Sequence, residues 1–181
     1  MAIHRLNHAV LYVRSVERSV AFYRDILGFT PISGLAGFRG AAFLRAPEST
    51  NDHDLGLFEI GEGAAASPAG RSTVGLYHLA WEVDTLRDLQ ELSNRLTAAG
   101  ALVGASDHGT TKSLYGHDPD GLEFEIVWIV PADRLDAAAL AARSSIRRLD
   151  LAGETERYGA DTPGGIGVSR LVGAVGNDVQ A

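Results

Sequence analysis

At 181 residues, 45% hydrophobic and 22% charged, the chain has the size and balance of one globular domain or two small halves. A formal net charge of −7 with scattered Lys and Arg leaves no basic face for a phosphate backbone, so no nucleic-acid partner is expected. With no cysteine there are no disulfides or thiolate metal sites, and a metal would have to be held by His, Asp and Glu, which suits Fe(II), Mn(II), Ni(II) or Zn(II).

The opening residues MAIHRLNHAV lack the apolar run of a signal peptide, and no stretch nears the roughly 20 apolar residues of a membrane span. A cytoplasmic protein with no membrane partner is expected. Residues 3–13 read as a strand with Leu6, His8, Val10 and Tyr12 on one face and His8 in mid-strand. Ser15 then caps a helix in which Val16, Val20, Tyr23 and Leu27 recur at helical spacing until Gly28 stops it. A glycine-rich run at 34–40 leads into a short apolar strand at 41–45. Another strand is predicted at 52–60, with His53, Leu55, Leu57 and Glu59 on one face. Residues 61–73, GEGAAASPAGRST, are small and turn-forming and read as a linker.

After the linker the pattern restarts. Residues 76–83 form a strand containing His78, and Thr85 caps a helix carrying Leu86, Leu89, Leu92 and Leu96 that Gly100 ends. Strands follow at 101–105, 113–116 and 122–130. The stretch SLYGHDPDGLEFEIVW at 113–128 is the most informative. In Asp118-Pro119-Asp120-Gly121 the proline presets φ, the aspartates bond local backbone and the glycine accepts positive φ, which makes a turn. Beyond it Phe124, Ile126 and Trp128 alternate with Glu123, Glu125 and Val127, so Glu125 sits deep in a strand with apolar neighbours. A carboxylate there is costly unless it is paired or binds a metal.

The two halves correspond. Asn7-His8-Ala9 opens the first as Tyr77-His78-Leu79 opens the second, and Phe58-Glu59-Ile60 closes the first as Phe124-Glu125-Ile126 closes the second, with Glu59 51 residues after His8 and Glu125 47 after His78. A βαβββ repeat of about 70 residues is the organising signal. Residues 132–151 are rich in Ala, Leu and Arg at helical spacing, and 153–181 are glycine-rich. The helix packs on the sheet or on a second subunit, and a homo-oligomer, dimer or higher, is expected.

Two βαβββ modules, a His on the first strand of each and a DPDG turn feeding a strand with Glu125 resemble the vicinal oxygen chelate superfamily, which includes glyoxalase I, extradiol dioxygenases and bleomycin-resistance proteins. The resemblance implies an α+β fold. It consists of two tandem βαβββ modules at 1–61 and 74–131, joined by a linker at 62–73, forming a cupped mixed sheet followed by a C-terminal helix and tail at 132–181. It also implies a divalent metal held by His8, His78 and Glu125, a facial set that leaves positions open for substrate and oxygen.

His53-Asp54-Leu55-Gly56-Leu57 resembles the HDxxL segment of type I extradiol (catechol 2,3-) dioxygenases, whose His is an acid-base residue. Tyr115 falls where those enzymes bond the substrate hydroxyl, and Asp107-His108-Gly109 looks like their further pocket histidine. The implied activity is insertion of both atoms of O2 into a small aromatic diol, with Fe(II), or Mn(II), as cofactor, in aromatic catabolism. Glu59 marks the alternative, a glyoxalase I-like lyase with a four-ligand Ni(II) or Zn(II) site. A non-catalytic binder of small molecules is the third reading. His4 and His117 read as surface residues.

Overall fold

The structure, a computed structural model, describes residues 2–3, 5–33, 39–165 and 167. His4, most of the glycine-rich run at 34–40 and most of the tail beyond 165 lie outside them. The chain divides into two compact units, Met1–Gly75 with Asp118–Leu122, and Leu76–His117 with Glu123–Ala181.

The first unit runs β1 (Ala9–Val13), α1 (Val16–Asp25), β2 (Thr30–Pro31), β3 (Ala41–Arg45) and β4 (Leu55–Glu59), in a sheet of order β1-β4-β3-β2. β1 and β4 are parallel, and the other pairs are antiparallel. The Ser15 side chain accepts from the Arg18 amide at the N-terminus of α1, and Gly28 leaves the helix at φ +81°, as its sequence required. Leu11, Val13, Tyr23, Phe29, Leu44, Leu55 and Leu57 make the core. The predicted first strand is shorter than its alternation suggested. Residues 5–8 run alongside the loop before β4, tied to it by side chains: Arg5 donates to Thr50 Oγ1 and Asn51 Nδ2 to the Asn7 carbonyl. His8 therefore precedes β1 instead of lying in mid-strand.

The DPDG turn forms as its chemistry predicts. Asp118 Oδ1 accepts from the Asp120 and Leu122 amides, both at 2.9 Å, and Gly121 adopts φ +82°. Within the first unit Asp120 takes the Arg14 amide (2.8 Å) and its guanidinium (2.9 Å), while Tyr23 donates to Asp118 Oδ2.

The second unit repeats the plan with β5 (His78–Glu82), α2 (Leu86–Ala98), β6 (Leu102–Asp107), β7 (Thr111–His117) and β8 (Glu123–Ile129), and then adds α3 (Ala137–Ala141), β9 (Arg147–Arg148) and α4 (Leu151–Tyr158). Its sheet order is β5-β8-β7-β6-β9, with β5 parallel to β8 as β1 is to β4. Thr85 and Asp88 form a reciprocal capping box on α2, and Gly100 takes φ +65° after it. Along β8 the predicted alternation holds: Phe124, Ile126 and Trp128 are buried, and Leu86, Leu89 and Leu96 of α2 join them in the core. Each such side chain contributes about 1.5–3 kcal/mol on burial.

Residues 132–151 do not form the single helix their composition suggested: they break into short helical turns, α3 and β9, and the helix that packs on this second sheet is α4. Tyr158 lies 5.4 Å from Trp128 between ring centroids, and Trp128 Nε1 donates to the Thr162 carbonyl. No described helix is long and apolar enough to cross a membrane.

Candidate functional site

In the first unit the structure brings His8 and His53 together, with ring centroids 4.5 Å apart. Each has Nδ1 against an acceptor on the preceding residue, His8 on Asn7 Oδ1 at 2.7 Å and His53 on Asp52 Oδ2 at 3.0 Å. With Nδ1–H donating, Nε2 keeps its lone pair, the tautomer a metal ligand or general base needs. The loop carrying His53 is built around buried Asp54, which accepts from the Ala46 amide (2.9 Å), Ser49 Oγ (2.7 Å) and Asn51 Nδ2 (2.7 Å). Asn51 also donates to the Asn7 carbonyl, so one amide joins the two histidine-bearing segments. Sequence reading missed this hub; the sign of it was an acidic residue directly before the apolar run 55–58.

On the sheet face beside these histidines the side chains are apolar. Phe43 lies 5.0 Å from His53 and 6.0 Å from Phe58 between ring centroids. A Cβ placed on Gly56 would meet Val10 at 3.4 Å and Phe43 at 3.5 Å, so these residues share one sheet face, and a bare glycine lets the aromatic ring lie close to the backbone.

In the second unit four predicted residues form a chain of contacts. His78 Nε2 is 3.1 Å from Glu125 Oε2, and the Tyr115 hydroxyl is 3.5 Å from Glu125 Oε1 and 3.0 Å from His108 Nε2. The register sets this up: Tyr115 of β7 stands directly opposite Glu125 of β8, and His78 pairs with Glu123, two residues earlier on the same strand face. Burial, then the nearby Glu125 charge, pushes the Tyr115 phenol up to about 12, so it is protonated at neutral pH and available as a donor. His117 is exposed and lies 3.7 Å from Glu123.

Glu59 is not where the sequence suggested. Alternation put it on the face of His53, but His53 precedes β4, and its ring lies with Phe43 and away from the strand's Leu55-Leu57-Glu59 face. Alternation applies only inside a strand. Nor is Glu59 the counterpart of Glu125. Glu125 pairs with Ala80, two residues after His78, and the residue two after His8 is Val10, which pairs with Gly56. Glu59 lies three residues further along, roughly 10 Å, and on the other face. There its Oε2 accepts from the Val16 amide at 2.9 Å, the first helical residue of α1.

Residues 5–126 match the Glyoxalase/Bleomycin resistance protein/Dioxygenase superfamily. The chain belongs to it. Over 123 residues it is 32% identical to a catechol-2,3-dioxygenase of Bacillus subtilis, covering 67% of this chain and 40% of that one. A lactoylglutathione lyase of Neisseria meningitidis is 26% identical over 138 residues, covering 68% of this chain and 89% of the lyase. A glyoxalase/bleomycin resistance/dioxygenase domain from Frankia sp. EAN1pec has the same fold, with TM-score 0.57, 24% identity, and coverage of 70% of this chain and 92% of that one. The chain thus spans well under half the length of the dioxygenase it matches.

The superfamily includes metal-dependent enzymes, and the donors here can be tested against that chemistry. Among the described residues no group of three or more His, Asp or Glu side chains stands ready around a common point. The pair in the second unit does suit a metal. Its imidazole nitrogen and carboxylate oxygen, 3.1 Å apart, are spaced like two donors each about 2.1 Å from one cation. His78 Nδ1 is buried without a hydrogen bond, with Glu123 Oε1 3.8 Å away.

Proposed function

We propose that this superfamily member is a metal-dependent extradiol dioxygenase that inserts both atoms of O2 into a catechol-like diol, with His8, His78 and Glu125 as the metal ligands. The observation that carries this over a four-ligand site is the register of the first module. Gly56 stands where a second carboxylate would have to be, and Glu59 is engaged at the N-terminus of α1. Three protein ligands leave coordination positions for a diol and O2.

A bound Fe(II) or Mn(II) would supply Lewis acidity to the diol oxygens and a binding position for O2. The protein's own side chains do the rest. Phe43, Phe58 and Val10 give a flat aromatic ring an apolar wall. His53, its Nδ1 tied to Asp52, presents a free Nε2 lone pair to take a diol proton and return it as the ring opens. Tyr115, protonated at neutral pH, donates a hydrogen bond to a substrate oxygen, and His108 at 3.0 Å steadies that phenol.

Anaerobic purification, metal analysis and oxygen uptake with a panel of catechols test the reading. About one Fe(II) or Mn(II) per chain and stoichiometric O2 consumption with ring opening are expected. A metal-loaded protein that consumes no O2 with any catechol would overturn it. A second reading, a glyoxalase I-like lyase with Glu59 as fourth ligand, is favoured by the match along 89% of a lactoylglutathione lyase. It would be upheld by isomerisation of a thiol–aldehyde adduct and by loss of metal in Glu59→Gln.

A further inference from the structure

We propose that residues 132–158, beyond the span matched by the superfamily, are a positioning clamp for His108, with Arg147 and Glu154 as its two charged jaws. The inference rests on the reading of His108 as part of the diol site and adds to it a set of positioning residues.

His108 sits on the turn between β6 and β7, closed by His108 N to Thr111 O (3.0 Å) and Thr110 N to His108 O (2.9 Å), with Gly109 at φ +77°. A turn this short has few internal bonds, yet its histidine must meet Tyr115 at 3.0 Å. The C-terminal elements grip it in three ways. β9 pairs with the end of β6, Arg147 opposite Asp107, and Arg147 Nη2 reaches Asp107 Oδ2 at 2.6 Å. Asp107 Oδ1 takes the Gly109 amide at 2.8 Å and Lys112 Nζ at 2.5 Å, and Lys112, fully buried, has Glu154 of α4 as a second carboxylate at 2.9 Å. Finally, a Cβ on Gly109 would clash with the Ala139 carbonyl and with Ala142, so the extension closes directly over the residue after His108.

Stability alone does not call for this construction. A lysine with no solvent exposure pays a desolvation penalty that its two carboxylates do little more than return, and an apolar residue at 112 would be the cheaper filler. What these contacts add is position: hydrogen bonds from Arg147 and Lys112 to Asp107, and the ion pair of Lys112 with Glu154, fix the turn relative to β9 and α4, and so fix the imidazole relative to the phenol. Asp107 makes the device coherent, because one carboxylate holds the backbone at Gly109, the buried Lys112 and the extension's Arg147.

The test uses the full chain, loaded with metal, carrying Arg147→Ala, Arg147→Lys or Glu154→Gln. Arg147 is half-exposed, and Asp107 keeps Lys112 in Arg147→Ala, so that variant should fold. Amide exchange at residues 107–112 should quicken about tenfold or more in Arg147→Ala and Glu154→Gln while α2 stays protected, and Arg147→Lys should restore most of the protection. With a catechol that the wild type turns over, kcat should fall roughly 10- to 100-fold with KM nearly unchanged. In a His108→Ala background Arg147→Ala should add little, because the clamp acts through that side chain. Unchanged exchange at 107–112, or a kcat loss that persists in full without His108, would overturn the clamp. If the wild type turns over no catechol, the dioxygenase reading falls, and the exchange measurement still decides on the clamp.

Discussion

Changing Glu59 to Gln separates the two metal-site readings, and the structure fixes what the change should cost. The carboxylate accepts from the Val16 amide at 2.9 Å, one of the amides that helix geometry leaves unpaired at the start of α1. Ser15 already serves Arg18, so Glu59 provides a second cap from a distant strand and places negative charge at the positive end of the helix. That charge is worth about 0.3–1 kcal/mol, and Gln keeps the acceptor oxygen while losing the charge, so Glu59→Gln should cost about 0.5 kcal/mol. Removing the acceptor as well, in Glu59→Ala, should cost about 1 kcal/mol. For a chain of this length these amount to Tm shifts of about 1–2 °C and 2–4 °C. The Gln effect should fade near 1 M salt, where the screening length is about 3 Å. Metal content by elemental analysis and oxygen uptake should both stay within about twofold of wild type. The reasoning is refuted if Glu59→Gln loses its metal while its melting curve does not move: the carboxylate would then be a ligand and not a helix cap.

Three further outcomes are expected. His78→Ala should strip the metal at an unchanged far-ultraviolet spectrum; full occupancy in that variant would mean the metal is held elsewhere. His53→Asn should bind metal and catechol normally yet lose about 10²- to 10⁴-fold in turnover, and a loss of only a few-fold would make His53 a bystander. Burial works to raise the Asp107 carboxyl, but the hydrogen bonds from Lys112 and Gly109, with the Lys112 and Arg147 charges, hold it below its usual 3.8. A lowered carboxyl contributes stability above its unfolded value and loses it as pH falls through the folded one. Asp107→Asn should therefore cost roughly 3 kcal/mol at pH 7, and in denaturant melts the gap to wild type should narrow only below about pH 3.8; a gap constant down to pH 2 would speak against it.

Much of this arrangement was readable from the chain because its signals are local. Ser15 and Thr85 cap the helices they were expected to cap, Gly28 and Gly100 end them, and the alternation along β8 puts Phe124, Ile126 and Trp128 inside with Glu125 on the opposite face. The errors came from carrying a local rule past its range. Phe58-Glu59-Ile60 looks like Phe124-Glu125-Ile126 as a string, but pairing partners, and not tripeptides, define equivalent positions, and by pairing Gly56 corresponds to Glu125. Alternation assigns His53 a face only if the strand already includes it, and β4 begins at Leu55. β9 was not foreseen because its two residues are both arginine, which gives no apolar periodicity to read. Nothing in the sequence around Lys112 told its buried ion pairs from those of an ordinary solvated strand lysine, since its partner Glu154 lies 42 residues away.

The repeat invites one to cut the chain at its linker and treat each half as a part that could be cloned alone, shuffled or fused. The DPDG turn argues against doing so. Although it lies between two strands of the second module, it belongs to the first compact unit, where Asp120 holds Arg14 and Asp118 receives the Tyr23 hydroxyl. A fragment ending at Gly75 would keep the buried Tyr23 and the Arg14 guanidinium but lose both of their carboxylates. The excised first half would thus lack part of its own interior, supplied in the whole chain by a segment translated more than forty residues later. The duplicated pattern of the sequence and the compact units of the structure have different boundaries.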